Sequence, residues 1–184
     1  RKNKGILMKK KTLSEIFIIE DYLPKDSHVS NGDLNSFILN DLATSSFEPL
    51  NKNRYGDLNL KHRKEYTWIF DYIRDQIYVK NNHMQLRFEG LTSNVEGFLQ
   101  SSFSRNNVDT YNVLGSPDLT ILYCVNGEGE LVVEYPENIF KNKFTVLDTE
   151  PRKIIIFNSG LNYYFLKNNL KDLRTTLCYK AKIV

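Results

Sequence analysis

The spacing of apolar and polar residues divides the chain in two. In the first part apolar residues recur at helical intervals. Leu34, Phe37, Ile38 and Leu42 in "GDLNSFILNDLA" line one side of a predicted helix, with Asp33 placed to cap its start. "KHRKEYTWIFDYIRDQIYV" sets Trp68, Ile69, Tyr72, Ile73 and Ile77 on one face of a second, amphipathic helix of the kind that braces a sheet. A short strand, "EIFIIEDYLP", precedes both and ends at Pro24. Between the helices, "TSSFEPLNKNRYGDLN" is crowded with turn formers and predicts a loop.

After residue 82 the period shortens to two. "HMQLRFEGL" alternates Met84, Leu86 and Phe88 with Gln85, Arg87 and Glu89, as a half-buried strand does. "FLQSSFSRNNVDTYNVLGSPD" is polar and irregular. "LTILYCVN" then predicts a buried strand that turns at "GEGE" into "LVVEY", giving a hairpin. "NKFTVLD", "RKIIIFN", "NYYFL" and "RTTLCYKAKI" follow as further strands. The order predicts an α+β domain in which two N-terminal helices brace an antiparallel jelly roll.

Composition narrows the function classes. A chain of 184 residues, 41% hydrophobic and 26% charged, suits one globular domain with a sizeable core. No apolar run approaches the roughly 20 residues that span a membrane. "MKKKTLSEIFIIEDY" starts like a secretory signal, but its apolar stretch is only "IFII" and acids follow at once, so an intracellular protein is expected. Cys124 and Cys178 lie in apolar, β-rich runs and read as buried thiols.

The net charge of +3 is unevenly spread. Arg1, Lys2, Lys4, Lys9, Lys10 and Lys11 precede any acid; removing these six from the 25 basic residues leaves 19 against 22 acidic ones. Residues 1–12 therefore read as a basic arm on a mildly acidic domain, residues 13–184. The arm is the one element suited to nucleic acid or another anionic partner.

From residue 119 onward the chain resembles the C-terminal half of the 2-oxoglutarate/Fe(II)-dependent dioxygenases. The resemblance rests on "LTILYCVN", "GEL", "EPRKIIIF" and "RTTLCYK" in that order, and small hydroxylase-like proteins of marine tailed phages are the nearest members. It implies a double-stranded β-helix. It implies that Arg174 pairs with the distal carboxylate of 2-oxoglutarate through a planar guanidinium. Thr176, two places on, is then the assisting hydroxyl on the same strand face, and Tyr123 a phenol reaching the same carboxylate.

The implied metal centre does not follow. Iron in these enzymes is held by two histidines and one carboxylate. The histidines here are His28, His62 and His83, and the residues two places after them are Ser30, Lys64 and Gln85. Where a His-x-Asp motif belongs, the chain offers "QSS" (100–102), "NVD" (107–109) and "SPD" (116–118). The distal histidine's place falls on Tyr163, beside Tyr164. Asp109 or Asp118 with Tyr163 makes a poor iron site, so Fe(II) is not expected and 2-oxoglutarate is a candidate ligand only.

The expectation is a non-catalytic derivative of the oxygenase fold. It would act as a binding or structural module with a protein partner or further copies of itself, in the cytoplasm, or in a virion if phage-encoded. Two alternatives stay open. One is an active hydroxylase with an unusual metal site. The other is a sugar- or metabolite-binding jelly roll with Tyr111, Tyr163 and Tyr164 in its groove. "GEGE" is neither a phosphate loop nor a dinucleotide motif, and Glu128, Glu130 and Glu134 read as a solvated hairpin tip and edge.

Overall fold

The computed structural model describes residues 16–27, 29–44, 55–59, 63–81, 83–99, 103–104, 117–138 and 141–184. The basic arm lies outside this set. The chain begins with β1 (Ile18–Tyr22), α1 (Asn31–Thr44), β2 (Tyr55–Asn59) and α2 (Lys64–Lys80). It continues through β3 (Leu86–Glu96), β4 (Phe103–Ser104), β5 (Leu119–Asn126), β6 (Gly129–Asn138), β7 (Lys141–Thr149), β8 (Lys153–Asn158), β9 (Asn162–Phe165) and β10 (Arg174–Ile183).

The strands form two sheets in which every pairing is antiparallel. One sheet has six strands in the order β1-β8-β5-β10-β3-β2, and the other four in the order β4-β9-β6-β7. The chain switches sheets between β3 and β4, β4 and β5, β5 and β6, β7 and β8, β8 and β9, and β9 and β10. This alternation is that of a jelly roll.

It also corrects the hairpin expected at "GEGE". β5 pairs with β10 and β8, whereas β6 pairs with β7 and β9. Gly127, at φ 80°, turns the chain out of one sheet and into the other.

Each helix forms where its apolar stripe meets the six-stranded sheet. In α1, Leu34 and Ile38 are fully buried. Its start is capped by Ser30, whose Oγ accepts the Asp33 N–H at 3.4 Å, rather than by Asp33. Asp33 instead lies in the first turn, where its charge suits the positive end of the helix dipole. In α2 the buried stripe is Tyr66, Ile69, Phe70, Ile73 and Ile77, while Trp68 and Tyr72 stack at its margin with ring centroids 5.8 Å apart.

Two further differences come from pairing that local composition does not reveal. The turn-rich segment between the helices contributes β2, which adds to the β3 edge with Leu58 opposite Ser93. β3 itself runs on to Glu96. It bulges at Glu89, between Phe88 opposite Ala181 and Gly90 opposite Lys180, so the period-two count does not carry through, and Phe88 is half exposed.

The six-stranded sheet thus has two buried faces. Ile121, Tyr123, Ile154, Ile156, Leu177 and Tyr179 pack against the helices. Leu122, Ile155, Phe157 and Cys178 point the other way, toward Leu131, Val133, Tyr163 and Phe165 of the smaller sheet. Among the described residues, no helix is long and apolar enough to cross a membrane.

Candidate functional site

The site is built at the start of β10, on the face toward the four-stranded sheet. Arg174 and Thr176 share that face with Cys178, by the two-residue period of the strand. Arg174 is 2% exposed. Opposite it in register on β3 stands Glu96, 1% exposed.

The Arg174 guanidinium closes on that carboxylate. Nε donates to Glu96 Oε2 at 2.5 Å, and Nη2 contacts the same oxygen. Nη2 also donates to the Leu166 carbonyl at 2.6 Å, and the guanidinium carbon lies 5.0 Å from the Phe165 ring centroid. Asn94 Nδ2 donates to Glu96 Oε1 at 2.7 Å, so both carboxylate oxygens are held. Arg174 Nη1 is buried without a hydrogen-bond partner.

Two glycines make room for this side chain. A Cβ at Gly129 would run into Nη1, and one at Gly127 would lie 3.0 Å from the Arg174 Cα. The site is therefore a buried ion pair with one guanidinium nitrogen to spare, and a charge this deep demands its partner.

Tyr123 is not part of it. It lies opposite Leu177, on the helix-facing side of the sheet, and its hydroxyl donates to Asn31 Oδ1 at 2.5 Å. Asn31 Nδ2 in turn donates to the Val125 carbonyl at 2.8 Å, tying α1 to β5. Burial pushes the Tyr123 phenol up to about 12. The structure brings Arg174 and Thr176 to one face and leaves Tyr123 on the other. The reason is alternation along β5, which sends Leu122 inward and its neighbour outward.

Tyr163, at the distal histidine's place, is 6% exposed and packs edge-on against Phe157 at 5.1 Å. Its hydroxyl lies 3.6 Å from Cys178 Sγ. Lys180 Nζ stands 5.9 Å from the Tyr163 ring and donates to Thr120 Oγ1 at 2.6 Å. Tyr164 is half-buried on the opposite face of β9.

The other sequence candidates scatter. Asp118 Oδ2 accepts the backbone N–H of Ile183 at 2.8 Å, bracing the far end of β10. His83 is exposed in the turn after α2, its ring beside Tyr78. His28, His62, Asp109, Tyr111 and the "QSS" and "NVD" segments lie outside the described residues.

These donors do not fit an iron centre of two imidazoles and one carboxylate. The inward face of β9 and β10 offers a phenol, a thiol and an amine, and no histidine follows residue 83. Among the described residues, no three His, Cys, Asp or Glu side chains gather closely enough to hold a metal. Cys124 is a free thiol 2% exposed, and burial pushes it up to about 12, which leaves it protonated and inert.

Sequence reasoning missed Glu96 and Gly129. The acid in "SNVEG" followed an interrupted alternation, and Gly129 passed for a turn residue. Nothing local marks either one as a partner of Arg174.

Comparison with known proteins defines the class of fold. No protein-family model matches the sequence, and no curated protein does. The structure has the fold of the 2-oxoglutarate/Fe(II) oxygenases. A 2OG-Fe(II) oxygenase family oxidoreductase from Burkholderia pseudomallei superimposes with a TM-score of 0.58 at 11% identity, covering 90% of this chain and 84% of that one. The non-heme alpha ketoglutarate dependent carbocyclase SnoK from nogalamycin biosynthesis gives 0.63 at 6% identity, covering 89% and 78%. A Pseudomonas putida prolyl-4-hydroxylase gives 0.57 at 15% identity, covering 90% and 91%. At these identities the likeness is one of fold.

Proposed function

We propose that this chain is a non-catalytic derivative of the 2-oxoglutarate/Fe(II) oxygenase fold, acting as a binding or structural module. On this reading its two sheets are the family's double-stranded β-helix. A role in assembling a larger structure, such as a phage virion, suits such a module.

One observation carries the reading: the guanidinium that would grip the distal carboxylate of 2-oxoglutarate already grips Glu96. An internal carboxylate sits where a ligand carboxylate would dock, so the cofactor's anchor is occupied by the protein itself. Tyr163, packed in the apolar layer between the sheets, supports it from the metal side.

A second reading has its own support. Arg174 keeps Thr176 beside it on the inward face, and its Nη1 remains without a partner. An active hydroxylase would use that nitrogen for 2-oxoglutarate after Glu96 withdrew. Arg174 would then anchor the dicarboxylate.

Anaerobic calorimetric titration with 2-oxoglutarate, with and without Mn(II) or Fe(II), separates the two. The non-catalytic reading expects no heat of binding in either condition. Metal-dependent binding that is lost in Arg174→Ala, followed by succinate formation in air, would establish the hydroxylase instead.

A further inference from the structure

One end of the two-sheet body carries a groove that the Arg174 site does not account for. The turn from β5 to β6, the end of β7 and the segment after β9 enclose about 800 Å³. Glu128, Glu130, Asp148 and Glu150 stand on its rim, and Lys167 is the one cation among the lining residues. The Tyr22 hydroxyl donates to Glu150 at 2.6 Å. Glu128 and Glu130 hold no ion pair among the described residues. Like charges gathered on one concave rim concentrate negative potential and draw cations in.

What lies beneath the rim gives the groove a second requirement. Thr149 lines it, is 3% exposed, and has an Oγ1 without a hydrogen-bond partner. Gly129 lies opposite Thr149 in register, and the unpartnered Arg174 Nη1 lies under it. A matching ligand brings positive charge to the rim and polar backbone atoms to the floor. A lysine-rich peptide does both, with ammonium groups for the carboxylates and a main-chain carbonyl or amide for the buried hydroxyl.

The chain contains such a peptide. Residues 1–11 hold Arg1, Lys2, Lys4, Lys9, Lys10 and Lys11 and no acid. Their point of departure is fixed by β1, which pairs with β8 so that Ile18 faces Phe157 and Tyr22 faces Lys153. The chain before Ile18 leaves at the Phe157 end of the sheet, where the Phe17 N–H donates to Asn158 Oδ1. The groove is at the Tyr22 end, where Tyr22 reaches Glu150.

We propose that the basic segment 1–11 of one copy docks in the acidic groove of a second copy, joining molecules head to tail. The described chain departs toward the segment at one end of the sheet and the groove lies at the other, so each contact joins two different surfaces and builds a reciprocal pair, a larger ring or an open chain. The contact does not depend on whether the Arg174 site is catalytic.

Sedimentation velocity of the full chain at about 50 and about 500 mM salt tests it, because screening weakens contacts between exposed charges. Self-association is expected at low salt and at least about tenfold weaker at high salt. Glu128→Lys with Glu130→Lys should abolish it, as should Lys9→Glu, Lys10→Glu and Lys11→Glu together. Combining the two sets should restore it with the charges exchanged. Calorimetry with a synthetic peptide of residues 1–11 should show binding that Thr149→Val weakens several-fold without changing its salt dependence. A chain that stays monomeric throughout, or association that survives both charge reversals, overturns the proposal. Peptide binding that appears only after the arm is deleted from a monomer would place the arm in its own groove and likewise overturn the head-to-tail contact.

Discussion

On the helix side of the six-stranded sheet, β5 and β10 each bury a phenol with a neutral partner. Tyr123 donates to Asn31, and Tyr179 donates to the Tyr66 carbonyl at 3.0 Å. On the side facing the smaller sheet β10 carries charges: the buried Arg174 on Glu96 at one end, the half-buried Lys180 on Thr120 toward the other. The two faces belong to the same strands, and Arg174 is buried about as deeply as the two phenols. A neutral buried pair loses roughly one hydrogen bond when cut. A charged pair cut in half strands an ion in apolar surroundings. Cutting one partner of a buried polar pair is therefore milder on the helix side than on the inner side.

The sharpest way to break the comparison is to split the ion pair. Glu96→Ala should cost about 3–5 kcal/mol, read as a lowered midpoint in urea unfolding. Replacing both partners, Glu96→Leu with Arg174→Met, should cost much less than the single changes summed, because no charge is stranded. Additive losses would mean that the inner face behaves as ordinary core and that the contrast between the faces is false.

On the helix side, Ile73→Ala should cost about 2–5 kcal/mol, as a cavity under α2. Its loss should be the same at pH 6 and pH 8, since Ile73 carries no titrating partner.

The smallest effect is that of Tyr123→Phe, about 1 kcal/mol at neutral pH. Its signature lies in alkali. Burial raises the folded phenol from 10.0 to about 12, and the Cys124 thiol from 9.0 to about 12. Between those limits the unfolded chain releases protons that the folded chain keeps. Stability is then full below about pH 9 and falls as pH climbs toward 12. Tyr123→Phe should flatten part of that slope, and an unchanged slope would locate the alkaline loss elsewhere.

Much of the fold was legible because its signals are local. The face of α2 and the apolar runs of β5 and β8 could be read from spacing alone. β2 could not, because its residues become a strand only by adding to the edge of β3. The "GEGE" hairpin misled because a tight turn between two apolar runs looks the same whether the strands pair or part to different sheets. Of the candidate site, Arg174 and Thr176 share a face as their spacing requires. Tyr123 was misplaced relative to them because a residue's sheet face depends on register, which one strand does not reveal. Glu96 lay beyond reach for the same reason: it meets Arg174 through cross-strand pairing, far from it in sequence.

The position of the last strand bears on how the molecule is made. β10 lies between β5 and β3 in the larger sheet, and β1, the first strand, closes onto β8. Synthesis proceeds from the N-terminus, at roughly 5–20 residues per second, so the centre of the larger sheet emerges after the strands on either side of it. Until then β5 and β3 have no strand between them, and the apolar faces that Leu177, Cys178 and Tyr179 complete stay open to solvent. Folds dominated by such distant pairings form slowly. The nascent chain must therefore be kept from aggregation until β10 has emerged, and loss of β10 would remove the middle of the sheet rather than trim its edge.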